Sequence, residues 1–134
     1  MYHRILVALS LEHGISERAL ETARALVAEG ATIRAVHVIE PPNPAVRAYL
    51  DADLVAKARD DAEARLRARV ADAPGVEPVL LSGHSSRALT EYATDMGIDL
   101  IIVGSHRPGL SDYFLGTTAA RVVRHAPCTV MVLR

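Results

Sequence analysis

Two glycines and two threonines bracket a polar loop near the end of the chain, in the stretch VGSHRPGLSDYFLGTTAARVV at residues 103–123. The apolar residues before Gly104 predict a strand, and those after Gly116 predict a helix. Glycine lets a backbone amide approach a bulky anion, because no Cβ stands in the way. The N–H groups that open a helix, with the hydroxyls of Thr117 and Thr118 beside them, suit a phosphate. These residues fit a phosphate-binding loop, but glycines at the ends of strands and helices mostly serve turns, so the spacing alone leaves both interpretations open.

Three polar side chains follow Gly104 directly, and each has two interpretations. The guanidinium of Arg107 could clamp a phosphate from the side, or lie in solvent or against a neighbouring subunit. His106 could contact a phosphate or a ribose, or be an exposed loop histidine. Ser105 could donate to a phosphate or only turn the loop.

No recognisable catalytic set accompanies this loop. The nearby acidic residues Glu12, Glu40 and Asp112 match no acid–base or Walker-type arrangement. Next to His84, Ser85 and Ser86 lack the G-x-S-x-G pattern of a hydrolase elbow, so the N-cap of a helix is the simpler interpretation. The other histidines lack metal-ligand spacing. The sequence predicts no catalytic residue and no metal ligand.

The elements that must position the loop alternate between apolar strands and amphipathic helices. Five strands are predicted as short apolar runs: RILVAL, TIRAVHVI, PVLLS, DLIIVG and TVMVL. Such runs are typical of strands buried on both faces of a parallel sheet. The alternation predicts one doubly wound α/β domain over residues 1–134, with helices on both faces of a five-stranded parallel sheet. Ligands bind beyond the carboxyl ends of such strands, so residues 9–11 should face the 104–116 loop.

The predicted helices differ in how clearly they begin and end. The first follows the first strand and stops at Gly30. Proline-rich residues 40–53 predict a surface loop. The next helix runs from Leu54 to Val70, with an apolar stripe that repeats every four residues, at Leu54, Ala58, Ala62, Leu66 and Val70. A later helix places Met96 among its inward residues.

The bulk composition is that of an ordinary soluble protein. Hydrophobic residues make up 50% of the 134 residues, and the formal net charge is −1. This balance gives no support for binding to nucleic acid or to a membrane surface. One cysteine cannot form an internal disulfide or a multi-cysteine metal site. No stretch has the length of a signal peptide or of a membrane span, so a cytoplasmic protein is expected.

Four blocks of the chain, in order, resemble the universal stress protein family: RILVAL, AVHVIEPP, DLIIVGSH and LGTTAARVVRHAPCTVMVLR. The resemblance implies a dimeric, Rossmann-like α/β fold that binds adenine nucleotides, with strand order 3-2-1-4-5. It also implies ATP as the ligand, with or without Mg²⁺, in a loop of pattern G-x2-G-x9-G-[ST]. The nucleotide-binding residues carried over are Ala8, Leu9, Ser10, Val38, Val103, Gly104, Ser105, His106, Arg107, Gly116, Thr117 and Thr118.

The chain departs from the family pattern at two places. The middle glycine is missing and the loop is one residue shorter, in a form that resembles the SHRP-loop branch of the family. At the end of the first strand, Ser10 stands where the family usually has aspartate. A neutral hydrogen-bond partner contributes less than a charged one, so we expect Ser10 to weaken nucleotide binding by roughly three- to thirtyfold.

The last strand is apolar and is expected at the edge of the sheet, where an unpaired edge invites pairing. The resemblance implies that it pairs across a two-fold axis, so we expect an isologous homodimer centred on Thr129, Val130, Met131, Val132 and Leu133. A tetramer through the Arg107 loop is an alternative. Two functions stay open: an ATP-binding regulatory module in the stress response, and a nucleotide-free dimeric interaction protein. Enzyme activity is expected to be at most slow ATP hydrolysis.

Overall fold

A five-stranded parallel sheet forms the centre of the part of the chain that the computed structural model describes, residues 1–11, 16–105 and 115–134. The elements are β1 (Tyr2–Ala8), α1 (Ser16–Leu26), β2 (Val27–Ile39), α2 (Pro44–Arg47), α3 (Ala52–Val70), β3 (Val76–Ser82), α4 (Ser85–Asp95), β4 (Leu100–Gly104), α5 (Thr117–His125) and β5 (Thr129–Leu133). The strand order is β3-β2-β1-β4-β5, and every neighbouring pair is parallel. The predicted order is therefore confirmed.

Successive residues of the central strands face opposite sides of the sheet, and this divides the core into two layers. On one side Ile5 and Val7 pack with α1 and α3, and on the other Leu6 packs with α4 and α5. All three side chains are completely buried. Because the central strands are covered on both faces, their apolar runs are continuous, and the prediction of helices on both faces is confirmed.

Several boundaries differ from those predicted. The first helix ends at Leu26, and the chain enters β2 directly, so Gly30 lies within the strand and does not terminate a helix. Its φ of 75° is a value that favours glycine, and it lies in the stretch where the β1–β2 register shifts. The loop predicted over residues 40–53 contains the short helix α2, because the side chain of Asn43 accepts from the N–H of Ala45 and Pro44 occupies the first turn.

Three residues expected to be inward are exposed, and Ala58 is one of them. Leu54 is 59% exposed and Met96 is 36% exposed.

Within the described ranges, no helix has both the length and the apolar character needed to cross a lipid bilayer.

Candidate functional site

A notch lies at the carboxyl edge of the sheet, above the end of β1. The β1–β2 pairing ends with Ala8 opposite Val36, and Leu9 N–H then donates to the Val36 carbonyl at 2.8 Å. Strand β2 continues to Ile39, so it extends three residues beyond that last pair. On the other side, β4 continues to Gly104, two residues beyond its last pair with β1. The central strand is thus the shortest at this edge.

The peptide groups of Val38 face this notch. In a strand, the N–H and C=O groups of alternate residues point to the same neighbour. The carbonyl of Val36 points toward β1, where it meets Leu9, and the carbonyl of Ile39 points toward β3, where it accepts from Gly83 N–H at 3.0 Å. The backbone N–H and C=O of Val38 therefore point toward the β1 side of β2, at a level beyond the last residue of β1. One donor beside one acceptor suits the edge of a planar heterocycle.

The segment after β1 is held by its carbonyl groups. Leu9 and Leu11 are buried. The Leu9 carbonyl lies 2.9 Å from Nδ1 of His37, and because a carbonyl only accepts, Nδ1 carries the proton. Guanidinium groups from α3 donate to the Leu11 carbonyl, Arg65 at 2.9 Å and Arg69 at 2.7 Å. Ser10, between the two leucines, is half-buried.

The two ends of the glycine-bracketed loop meet beside β4. Val103 and Ser105 are buried, and Gly104 is half-buried. The N–H of Ser105 donates to the Leu133 carbonyl at 2.8 Å, and its carbonyl accepts from the N–H of Gly116. The predicted site residues His106 and Arg107 lie outside the described residues. The hydrogen bond between Ser105 and Gly116 nevertheless brings the start of α5 to the carboxyl end of β4.

Within the described residues, helix α5 begins without a side-chain cap. Its N-cap is Gly116, and the exposed Thr117 and Thr118 form the first turn. Within the described ranges, a cap position is also defined for α2, α3 and α4. Each of these three helices is capped by a side chain. Asn43 caps α2 and Asp51 caps α3, while a carboxylate from outside the helix caps α4. An uncapped helix start presents N–H donors and the positive end of the helix dipole to an anion.

The cap of α4 is supplied by Glu40 at the end of β2, and sequence analysis missed it. Its Oε1 accepts from the Ser85 hydroxyl at 2.8 Å and from the Ser85 N–H at 3.1 Å. These hydrogen bonds hold the pKa of Glu40 below its usual value, against the opposing effect of partial burial. Ser85 therefore donates its hydroxyl to Glu40, and neither Ser85 nor Ser86 is the N-cap, which is His84. An acidic residue at the end of one strand gave no local signal, because Ser85 is 45 residues away along the chain.

His84 is not arranged as a general base. Arg121 Nη1 lies 2.9 Å from Nε2 of His84, and the Ser86 hydroxyl lies 3.2 Å from its Nδ1. A guanidinium only donates, so Nε2 is the acceptor and Nδ1 carries the proton. The imidazole consequently has no lone pair toward Ser86, and this geometry does not favour serine activation.

The structure therefore places the predicted strand-end residues on one edge of the sheet. Ala8, Leu9, Ser10 and Val38 line one side of the notch, and Val103, Gly104 and Ser105 line the other, with Gly116 bonded to Ser105. Together they provide backbone donors and acceptors at one end and an uncapped helix start at the other. Such an edge can hold a ligand with a planar polar group and an anionic group. Residues Thr129 to Leu133 form the edge strand β5, next to β4.

Comparison with known proteins identifies relatives over the full length of the chain. The sequence profile of the universal stress protein family matches residues 1–134. A universal stress protein of Thermus aquaticus is 31% identical over 140 residues and covers 100% of both chains. Universal stress protein G of Shigella flexneri is 27% identical over 143 residues, again with 100% of both chains covered.

Solved structures of the same family share the fold. The universal stress protein UspA of Lactobacillus plantarum superposes with a TM-score of 0.69 at 27% identity, covering 99% of this chain and 98% of that one. A universal stress protein in complex with cAMP gives a TM-score of 0.67 at 24% identity, with 99% and 97% covered. The Archaeoglobus fulgidus protein in complex with dAMP gives 0.65 at 19%, with 99% and 98% covered. From the full-length profile match and these relatives, the chain belongs to the universal stress protein family.

Proposed function

We propose that this protein binds an adenine nucleotide in the notch above β1 and acts as a nucleotide-dependent regulatory module. The observation that carries the proposal is the orientation of Val38, whose N–H and C=O face the notch. An adenine ring presents a donor and an acceptor side by side on one edge. Those two groups match the backbone pair of Val38 without any contribution from its side chain.

The phosphates lie at the opposite end of the notch, on the start of α5. Gly116 leaves room for close approach, and the first-turn N–H groups, with the hydroxyls of Thr117 and Thr118, donate to phosphate oxygens. Gly104 and Ser105 complete the cradle from the end of β4. In this proposal His106 and Arg107 add donors and positive charge from the loop.

Two structural neighbours support the choice of ligand, since one is a complex with cAMP and another a complex with dAMP. Both ligands combine an adenine with a phosphate, the two groups that the ends of the notch suit. ATP, with or without Mg²⁺, is the ligand that we propose for this chain. The proposal contains no catalytic residue, in keeping with the unfavourable geometry of His84.

Self-association through β5 is the second part of the proposed function. The carbonyl of Leu133 points toward β4, where it accepts from Ser105. By the same alternation, Val130 and Val132 direct their N–H and C=O groups away from the sheet. A second copy that pairs antiparallel with this edge satisfies those groups. We propose a cytoplasmic homodimer whose contacts in the stress response depend on the bound nucleotide.

The substitution Gly116→Asp tests the phosphate position without harming the fold. Gly116 has φ −58° and ψ 153°, which any residue can adopt, and aspartate is a favoured N-cap. The variant should keep or raise the melting temperature. It should nevertheless lose ATP binding in calorimetric titration, because its carboxylate occupies the place of the anion.

The matched control is Ala120→Asp, which adds the same charge to an exposed position one turn later on α5. Its ATP affinity should stay within about threefold of the wild type, since the carboxylate lies beyond the first turn. If Gly116→Asp bound ATP as well as Ala120→Asp does, the phosphate position would be wrong.

Ser10 favours a second candidate, a dimeric interaction protein that binds no nucleotide. A serine at this position removes the charged acceptor found in the resembled family, so binding could be lost altogether. Two results would support this second candidate. The protein would purify without nucleotide, and its melting temperature would not change with millimolar ATP and Mg²⁺.

A further inference from the structure

A groove runs between α4 and α5, on the side of the sheet that Leu6 faces. Its volume is about 560 Å³, within the range of small-molecule pockets. The described residues that line it, named here the α4–α5 groove, are His84, Ser86, Arg87, Thr90, Glu91, Arg121 and His125. None of the described residues that form the notch is among them, so the groove is a separate feature of the surface.

The groove carries an excess of positive charge. Arg87 and Arg121 enter it from different helices, and His84 and His125 lie beside them. Glu91 supplies the one carboxylate among the described lining residues. Neither arginine forms an ion pair within the described part of the chain. In a chain whose formal net charge is −1, this local excess favours an anion in the groove.

The contact between Arg121 and His84 leaves a buried hydroxyl without an acceptor. Arg121 donates to Nε2 of His84, so Nδ1 carries the proton and donates to the hydroxyl oxygen of Ser86, 3.2 Å away. The hydrogen of that hydroxyl then has no acceptor among the described residues, although Ser86 is only 6% exposed. Buried donors are rarely left unpaired, because the loss of water is costly. Ser86 therefore indicates a ligand that accepts hydrogen bonds.

We propose that the α4–α5 groove binds a small phosphate monoester, with its phosphate between Arg87 and Arg121. This site goes beyond the proposed function, because it needs neither the notch nor an adenine. A phosphate has several acceptor oxygens, which match donors that approach from two helices, the two guanidinium groups and the hydroxyl of Ser86. A phosphate oxygen is charged, so it is a stronger acceptor for Arg121 than the neutral imidazole of His84.

Two carboxylates decide which end of the groove holds the phosphate. Glu91 lies about one turn after Arg87 on α4, and the groove continues past it to Asp95, with His125 on the facing side. The negative charge of Glu91 and Asp95 disfavours an anion there. The phosphate therefore lies toward the start of α4, and the uncharged part of the monoester extends toward Glu91.

Amide chemical shifts of the isotope-labelled protein locate the site directly. Titration with glycerol phosphate should shift the resonances of Ser86, Arg87, Thr90 and Arg121, and sodium chloride at equal ionic strength should not. Inorganic phosphate should shift the same resonances with lower affinity, since it lacks the part that extends toward Glu91. Shifts confined to the start of α5 would place the anion in the notch and overturn the proposal.

Arg121→Gln removes the charge and keeps a donor for Nε2 of His84. Its affinity for glycerol phosphate should fall by at least about tenfold, and Arg87→Gln should act in the same way. Arg124→Gln is the matched control, because Arg124 is exposed on the same helix and is not among the residues that line the groove. Its affinity should stay within about threefold of the wild type. Equal affinities for Arg121→Gln and Arg124→Gln would contradict the site.

Glu91→Gln tests the sign of the charge effect. Because this variant loses a like charge beside the anion, its affinity for inorganic phosphate should rise by about two- to fivefold. An unchanged or lower affinity would mean that the anion does not lie beside Glu91, and the proposed position would be wrong.

Gly116→Asp separates the groove from the notch. This variant should bind glycerol phosphate as tightly as the wild type does, and loss of that binding would assign the phosphate to the notch and overturn the groove. A peptide that contains phosphoserine distinguishes a protein partner from a small molecule. If it shifted the same resonances with an affinity more than about tenfold higher than that of glycerol phosphate, the groove would serve a protein partner, and its assignment to a small ligand would be wrong.

Discussion

At the scale of single residues, side chains from distant parts of the sequence hold the carboxyl edge of the sheet. Glu40 caps α4 through two hydrogen bonds from Ser85, and Arg65 and Arg69 hold the carbonyl of Leu11. Sequence analysis identified the strand ends from their apolar runs but found none of these contacts. Each joins residues more than 40 positions apart, and a charged residue after a strand has no periodicity that would reveal its partner.

The Glu40 cap predicts a pH-dependent stability. Its pKa is lower in the folded state than in the unfolded chain, because the ionised carboxylate accepts from Ser85. The resulting stabilisation is fully present above the unfolded value, near 4.5, and is lost as the pH falls through the folded value. Glu40→Ala should therefore lower the free energy of unfolding by about 0.5–1 kcal/mol at pH 7. Urea denaturation at several pH values should show the gap to wild type closing in acid.

Glu21→Ala is the control for that measurement. Glu21 is exposed on α1, and its replacement by alanine removes one carboxylate, as Glu40→Ala does. Its unfolding free energy should differ from that of the wild type by less than about 0.5 kcal/mol at every pH. A gap for Glu40→Ala that stays constant down to pH 3 would contradict the cap.

At the scale of the elements, α3 shows how an apolar stripe can mislead. A repeat of four residues exceeds the 3.6 residues of a helical turn, so each step drifts by about 40°. Across the stripe, Leu54 and Val70 end about 160° apart and cannot face the same sheet. The structure buries Leu66 and Val70 and leaves Leu54 exposed. The existence of the helix could be predicted from the sequence. Which of its residues face the sheet could be predicted only by including the drift of about 40° at each four-residue step.

This drift predicts unequal costs for two identical substitutions in one helix. Leu66→Ala removes a buried side chain and should lower the free energy of unfolding by about 2–5 kcal/mol. Leu54→Ala changes an exposed position and should cost less than about 0.5 kcal/mol. Urea denaturation of the two variants measures the difference, and equal costs would mean that Leu54 is covered in solution.

At the scale of the whole molecule, the fold was predictable and the site only in part. Alternating apolar strands and helices indicate a parallel sheet, and the resemblance supplied the strand order that is observed. The notch could not be predicted, because it depends on β2 extending beyond β1.

The proposed dimer gives a prediction at the same scale. Val132 directs its N–H away from β4, so Val132→Pro removes a donor from the outer edge and leaves the β4–β5 ladder intact. The variant should sediment with the mass of one chain, and the wild type with the mass of two. Loss of pairing should not unfold the chain, so its far-ultraviolet circular dichroism should match the wild type. A variant that still sediments as a dimer would exclude β5 as the contact.

A crystal structure of the protein grown with millimolar ATP tests the central claim most directly. The account predicts adenine within hydrogen-bond distance of the N–H and C=O of Val38, and phosphate oxygens against the N–H groups of Thr117 and Thr118. A notch filled by the protein's own side chains, or a nucleotide bound elsewhere on the surface, would contradict it.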